Sequence, residues 1–213
     1  MSGDQHSWLK GGAALDTESV RQHYDAWADG YDATLAQWNY RAPGEAVAML
    51  KPLLTADAAI LDIGAGTGLS GQAVRDAGFT GRLDGSDVSP RSIEIARGRG
   101  VYSELQVVDG NALPLPYETD SYDAAISIGV LTYIADVEGL LRELARAIRP
   151  GGYLLVTHRE DLARERDFAG LIERVAKEGL WTVERITEPQ PYLPGNPDFA
   201  DQIGVLYALL RVG

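Results

Sequence analysis

The 213-residue chain contains no cysteine. Disulfide bridges, thiol catalysis and cysteine-ligated metal sites are therefore excluded, and a reducing compartment fits this composition. Basic residues are scarce, with 19 Lys and Arg against 31 Asp and Glu, a formal net charge of −12 and an isoelectric point near 4.6. Nucleic-acid binders usually display a basic stripe, so the balance argues against a phosphate-backbone partner while leaving a cationic small molecule open. No run of residues approaches the roughly 20 apolar positions needed to span a bilayer. Met1 to Ser19 carries Asp4, His6, Lys10, Asp16 and Glu18 and has no basic start followed by an apolar stretch. It is thus not a secretory signal, and no membrane partner and a cytoplasmic location are expected. Internal repeats and low-complexity tracts are missing as well.

What is present is an ordinary globular composition, 45% hydrophobic and 23% charged. A chain of this length buries roughly 70% of the surface that its unfolded form exposes, enough for one core without bridges or metals. One domain over 1–213 is expected, with 1–18 flexible, a helical lid over 19–56 and a sheet core over 57–213. Val20, Tyr24, Trp27, Tyr31 and Leu35 fall on one helical face, and Asp16 or Thr17 can cap its start. A second helix is expected from about Glu45 to Leu54.

Beyond it, short apolar runs alternate with helical patterns. Strands are expected at Ala58 to Ile63, Gly81 to Asp87, Leu105 to Val108, Ala124 to Ile128 and Tyr153 to Thr157, with two more at Trp181 to Ile186 and Gly204 to Val212. The intervening helices are Leu69 to Asp76, Ser89-Pro90 to Arg97, Gly139 to Ile148, and one marked by Phe168, Leu171, Ile172 and Val175. Such alternation predicts an α/β fold with a mainly parallel sheet covered on both faces. Ligands of such sheets bind at the carboxyl ends of the strands, where the strand order reverses. Pro189, Pro191, Pro194 and Pro197 mark a loop that folds over one end of the sheet.

Three acidic elements fall at successive strand exits. Asp62-Ile63-Gly64-Ala65-Gly66-Thr67-Gly68 follows a strand and opens a helix, and its glycines allow a ligand to approach the backbone closely. In the dinucleotide fingerprint the third glycine comes one position later, where this chain has Leu69, and the Walker A lysine is missing too. Phosphate readings are disfavoured. Ser86-Asp87-Val88-Ser89-Pro90 supplies a carboxylate able to accept both hydroxyls of a ribose. In Val108-Asp109-Gly110-Asn111, the carboxylate can accept an adenine amino group. Each element alone reads equally well as a helix cap or turn; their ordered succession does not.

From about Tyr24 to Gly152 the chain resembles the class I S-adenosylmethionine-dependent methyltransferases. The resemblance rests on Ile60 to Gly68 (ILDIGAGTG), Gly85 to Pro90 (GSDVSP), Asp109 to Pro114, Tyr122 to Ile126, and Arg142-Glu143-Leu144 through Arg149-Pro150-Gly151-Gly152. It implies a Rossmann-like, doubly wound seven-stranded sheet, mostly parallel with the last strand antiparallel, and S-adenosylmethionine as cofactor with S-adenosylhomocysteine as product. It further implies that Asp87 binds the ribose, Asp109 and Gly110 the adenine, and Gly64 and Gly66 the methionine portion. Tyr24, Tyr31, Asp62, Ala65, Gly68, Val88, Asn111 and Ile128 complete the candidate cofactor set. Many relatives carry a His shortly after the fourth strand, where this chain has Leu131-Thr132-Tyr133-Ile134, and Met where it has Ser92. The segment Tyr24-Asp25-Ala26-Trp27-Ala28-Asp29-Gly30-Tyr31-Asp32, with Tyr40-Arg41-Ala42-Pro43, is similar to small methyltransferase-like proteins of the Williams–Beuren syndrome region and their bacterial relatives.

Methyl transfer from a sulfonium is an in-line displacement whose leaving group is already activated, so alignment is the protein's main task. A base is needed only where the nucleophile loses a proton early. The candidates are Tyr133, after the fourth strand, and His158, after the fifth. Trp27, Tyr133, Arg159 and Tyr192 are the candidate acceptor-side residues, with Arg159 a possible bidentate donor to an acidic acceptor. No His, Asp or Glu cluster has metal-ligand spacing, and no Ser/His/Asp arrangement stands out. The expected activity is methylation of a small-molecule acceptor by a monomer or homodimer. Two other readings are use of the same cofactor without methyl transfer, by a cyclase or lyase, and cofactor binding by a non-catalytic regulator.

Overall fold

Asp16 begins the first long helix: its side chain accepts a hydrogen bond from the Ser19 amide at 2.8 Å, and helix α2 (Thr17–Gln37) runs from there, preceded by a single helical turn, α1 (Trp8–Gly11). The computed structural model describes residues 8–11, 16–200 and 202–213. Helix α3 (Ala42–Leu50) starts with Pro43 in its first turn, where a missing amide proton costs nothing.

The sheet comprises β1 (Ile60–Ile63), β2 (Leu83–Asp87), β3 (Glu104–Val107), β4 (Tyr122–Ser127), β5 (Ile148–Arg159), β6 (Trp181–Ile186), β7 (Gln190–Pro191) and β8 (Gly204–Val212). Its order is β3-β2-β1-β4-β5-β8-β6, with the two-residue β7 paired to β8. The first five strands pair in parallel, and β8 runs antiparallel to both β5 and β6. The expected seven strands and their antiparallel last member are there. The short β7 is an addition within the proline-rich loop, whose Gln190 lies opposite Val205.

Helices α4 (Leu69–Asp76), α5 (Pro90–Arg99), α6 (Val137–Ala147), α7 (Glu160–Glu165) and α8 (Phe168–Lys177) complete the layers. Side chains alternate across the strands, so Leu61, Ile63, Ala125, Leu154 and Val156 pack with Leu140, Leu144 and Ile172, while Ile60, Ala124, Ile126 and Leu155 pack with Ala46, Leu50 and Val74. Helix α3 is therefore part of this second core. Of the segment 19–56 expected as a lid, α3 thus belongs to the sheet's core, while α2 packs on α5.

The flexible segment expected over 1–18 also needs correction where it is described. Leu9 is buried and Trp8 is half-buried, because both belong to a third cluster with Trp27, Leu35, Leu193 and Phe199. Residues 1–7 and 12–15 lie outside the described residues. Among the described residues, no helix is long and apolar enough to cross a membrane. The strand order reverses at β1, between β2 and β4, and a crevice opens there at the carboxyl ends of the strands.

Candidate active site

The glycine loop leaves β1 in left-handed backbone conformations, with φ of +75° at Gly64, +54° at Gly66 and +93° at Gly68. A Cβ at Gly64 would lie 2.0 Å from Val130 Cγ2, whereas nothing lies within 4 Å of one at Gly66. Close backbone approach thus needs glycine at Gly64, and at Gly66 the space faces the crevice. The amides of Gly64 and Ala65 both donate to the Ser86 carbonyl, at 2.8 and 2.9 Å, and tie the loop to the end of β2. The Asp87 carboxylate accepts from the Gly66 amide at 2.9 Å and from the Ser89 amide at 2.8 Å. Burial pushes this carboxyl above the ordinary range, against the two amide bonds and with help from the Asp25 charge.

At the exit of β3, Asp109 accepts from the Asn111 amide at 2.8 Å. The Asn111 side chain donates to the Tyr133 carbonyl at 3.1 Å and to the Thr17 hydroxyl at 3.2 Å, and accepts from the Ala135 amide at 2.9 Å. The third strand exit is thereby fastened to the 3₁₀ turn Leu131–Tyr133 that follows β4.

These elements frame a cleft of about 780 Å³, counting the space at its mouth. Tyr24, Tyr31, Gly64, Gly66, Asp87, Val88, Asp109, Gly110, Asn111, Ile128, Tyr133 and Tyr192 all line it. A smaller aromatic chamber, about 380 Å³ counting its open space, lies beside the cleft, with Tyr24, Tyr31, Tyr40, Tyr133 and Tyr192 as the wall common to both. Trp27 and Arg159 line only this chamber.

The remaining candidates lie elsewhere. Asp62 points away from the cleft into the second core, where its Oδ2 accepts from Ser70 Oγ at 2.5 Å and from the Tyr102 hydroxyl at 2.6 Å. Its Oδ1 is buried without a partner, and burial raises its pKa to about 6. Ala65 is buried at a neighbouring recess beside Pro43 and Leu69, and Gly68 packs against Arg99 and Tyr102. His158 is 2% exposed, with its ring edge-on to Phe168 at 5.2 Å and no hydrogen-bond partner for either nitrogen. Burial and the neighbouring Arg166 lower its pKa to about 4. It faces the first core and has no access to the cleft, so a base role for His158 is not supported by its position.

Tyr133 does line the cleft, and its hydroxyl accepts from the Tyr24 hydroxyl at 3.0 Å. Burial raises both pKa values above the ordinary phenol value. Tyr133 therefore stays protonated at neutral pH and can orient a ligand by hydrogen bonding, whereas a base would need a pKa near the working pH. Arg159 is buried and lies 5.5 Å from the Phe199 ring centre; it donates to Asp161 at 3.1 and 2.5 Å and to the Leu9 carbonyl at 2.6 Å. Among the described residues, no group of His, Asp or Glu is gathered as a metal ligand set.

Two features escaped the reading from sequence. Tyr40, which packs edge-on against Tyr192 at 5.8 Å, lines both spaces, although its motif was visible. The carboxylates of α2 are not simply solvated: Asp25 accepts from Ser89 Oγ at 2.6 Å, and Asp29 pairs with Arg91 at 2.6 Å. Asp32 accepts from Thr67 Oγ1 at 2.5 Å and pairs with Arg99, whose Nε donates to the Thr67 carbonyl at 2.6 Å. Together they clamp α2 onto the glycine loop and α5.

The site fits S-adenosylmethionine on its own geometry. Gly66 opens toward the cleft, Asp87 is fixed at its edge, and tyrosine faces that attract a sulfonium by about 0.5–2 kcal/mol stand beyond. Residues 61–156 match the family described as "Methyltransferase domain". The chain is 32% identical to methyltransferase-like protein 27 of Homo sapiens over 80% of its length and 74% of that protein. It is 31% identical to demethylmenaquinone methyltransferase of Tropheryma whipplei over 66% of its length, spanning 59% of that relative. A Haloferax volcanii methyltransferase, solved with the Trm112 methyltransferase activator, superposes with a TM-score of 0.71 at 21% identity, covering 91% of this chain and 97% of that one. The chain belongs to the class I S-adenosylmethionine-dependent methyltransferases.

Proposed function

We propose that the protein methylates a small-molecule acceptor. The observation that carries this reading is the open cleft at the strand exits, framed by the glycine loop, Asp87 and Asp109 and walled on its far side by tyrosines. Asp87 would hold the ribose hydroxyls, and Asp109, Gly110, Asn111 and Val88 the adenine. Gly64 and Gly66 would hold the methionine portion, with Tyr24 and Tyr31 against the sulfonium. When bound, the cofactor supplies a methyl group on a positively charged sulfur that departs as a neutral thioether.

The chain's own residues align and enclose. Helix α2, clamped by Asp25, Asp29 and Asp32, covers the reacting centre and excludes water. The Tyr24–Tyr133 hydroxyl pair fixes the wall against which the acceptor would rest. Holding two reactants in line can supply several kcal/mol, up to roughly 7–11. With Tyr133 protonated at neutral pH and the His158 ring packed on Phe168, the acceptor atom would attack without proton removal by either of them. The demethylmenaquinone methyltransferase relative supports a small-molecule acceptor. We further infer a place among the small methyltransferase-like proteins of the Williams–Beuren syndrome region, supported by the Tyr24 to Asp32 segment and by the 32% identity to methyltransferase-like protein 27.

The test is incubation of the purified protein with methyl-labelled S-adenosylmethionine and a small-molecule extract, read by mass spectrometry. The expected result is label in a small molecule together with S-adenosylhomocysteine. Cofactor binding with no labelled product from any fraction would overturn the reading in favour of cofactor use without methyl transfer.

A further inference from the structure

We infer that Arg166 is a positioning residue for methyl transfer: its guanidinium holds the turn after β4 in the shape that presents Tyr133 to the cleft. The inference rests on the methyl-transfer reading above and adds the residue that fixes the tyrosine wall of that site.

The turn Leu131–Tyr133 is a single three-residue piece of 3₁₀ helix between β4 and α6, a form whose internal hydrogen bonds are weak. Its own amides serve two carbonyls: Tyr133 donates to Val130 at 2.9 Å and Ile134 to Leu131 at 3.4 Å. Leu131, Thr132 and Ile134 are buried, and a buried carbonyl needs a donor. Arg166 supplies what is missing. Its Nη1 donates to the Leu131 carbonyl at 2.9 Å and to the Ile134 carbonyl at 3.2 Å, and its Nη2 donates to the Thr132 carbonyl at 3.4 Å. The Tyr133 carbonyl accepts from Asn111 instead. Every carbonyl from Val130 to Ile134 thus has a donor, and Arg166 serves three of them.

The aim of the guanidinium is set from its own side. Arg166 ends α7, its amide donating to the Leu162 carbonyl at 2.9 Å, and Asp167 turns the chain at a φ of +47° to open α8. Among the described residues Arg166 forms no ion pair, whereas Arg159 and Arg164 pair with Asp161 and Glu160. A cation suits the place, because carbonyls at the end of a helical turn carry partial negative charge. Lysine would bring the charge as a single point, while the planar fork reaches several oxygens at once.

The effect reaches the cleft through Tyr133, whose hydroxyl accepts from Tyr24 and whose ring meets that of Tyr24 edge-on at 5.7 Å. The glycine loop and Asp87 are tied to each other and to β2, independently of this turn. Loss of the fork should therefore damage the alignment of acceptor and methyl group more than it damages cofactor binding. A misplacement of about 1 Å can cost on the order of 100-fold in rate.

The test compares Arg166→Lys and Arg166→Gln with the wild-type full chain, labelled with 3-fluorotyrosine and read by fluorine NMR. The Tyr133 resonance is the one lost in Tyr133→Phe, and those of Tyr117 and Tyr122 are assigned in the same way. In both Arg166 variants the Tyr133 resonance should shift or broaden while the other two stay in place. Transfer of label from methyl-labelled S-adenosylmethionine to a small-molecule extract should fall at least about tenfold at saturating cofactor, with S-adenosylhomocysteine affinity changed by less than about threefold. Arg164→Ala, which removes a neighbouring arginine outside the site, should leave all three readouts unchanged. An unmoved Tyr133 resonance, wild-type transfer by Arg166→Lys, or equal loss of binding and transfer overturns the inference. Loss of S-adenosylhomocysteine binding in both Arg166 variants also overturns it, by showing a purely structural role; if only one loses it, the other decides. Absence of any labelled product from the wild-type chain would instead sink the methyl-transfer reading, and the Tyr133 resonance would still decide whether Arg166 sets the turn.

Discussion

Tyr102 lies behind the glycine loop, and its hydroxyl does two jobs: it donates to Asp62 at 2.6 Å and accepts from the Gly71 amide at 3.0 Å. Its ring fills the space left by glycines, since a Cβ at Gly71 or Gly85 would come within 2.3 or 2.7 Å of it. Tyr102→Phe keeps this ring and removes only the hydroxyl. A hydrogen bond to a charged group contributes about 1.5–3 kcal/mol, and a buried amide left unpaired costs about 1–3 kcal/mol. The sum is about 2.5–6 kcal/mol, and the lower end, about 3 kcal/mol, is expected because Asp62 can escape part of the penalty by taking a proton. In a chain of this length that lowers the melting temperature by roughly 6–12 °C.

The pH dependence is specific. With its pKa at about 6, Asp62 is ionised at pH 8 and neutral at pH 5. The Tyr102 bond favours the ionised form, so the variant's deficit in urea unfolding should be largest at pH 8 and shrink by about 1 kcal/mol or more at pH 5. A deficit below about 1 kcal/mol at pH 8, or one that does not change with pH, would refute the role given to this hydroxyl.

His158 holds its pKa at about 4 in the fold, against an ordinary 6.5, so the unfolded chain takes up a proton that the folded chain refuses. That residue therefore removes roughly 3 kcal/mol of stability as pH falls from 7 to 4, and His158→Leu should flatten this part of the stability profile; an unaltered profile argues against burial as the cause. Asp87→Ala should weaken S-adenosylhomocysteine binding by about 10- to 140-fold for each charge-assisted bond lost, measured by titration calorimetry, and unchanged affinity removes Asp87 from the ribose site. Arg99→Ala opens the clamp at Asp32 and Thr67. Release of S-adenosylhomocysteine in stopped flow should then be several-fold faster and lose the salt dependence expected of the wild-type chain; identical rates would show that α2 does not gate the cleft.

The glycine loop, Asp87 and Asp109 were legible as lining one cleft because each lies within a few residues of a strand end and the three follow one another at successive strands, a succession that caps or turns alone do not explain. Strand parity explains two misplacements. Asp62 shares its face of β1 with Ile60, and Ile60 packs into the second core, so the carboxylate looks toward Ser70 and Tyr102. His158 falls in step with Leu154 and Val156, which face the first core, whereas Arg159 falls in step with Leu155 on the other side. Position at a strand exit marks where a residue is, and alternation decides which way it points. Tyr40 and Tyr102 were not legible as site-forming residues because their contacts join segments distant in the chain: Tyr40 meets Tyr192, and Tyr102 meets Asp62. Helix α1 was missed for the same reason, since Leu9 reaches Arg159 across the sheet's end and no local pattern announces it.

Strand β8 pairs with β5, β6 and β7, and for β6 and β7 it is the one partner in the sheet, although it is made after all of them. During synthesis the long edge of β5 stays an open row of amides and carbonyls until residues 204–212 leave the ribosome, and β6 has no neighbour to join. A chain halted just short of that point would expose an edge of the kind that recruits other strands. Trimming this one strand would leave β6 and β7 without a partner and β5 with an open edge, far more than its nine residues suggest.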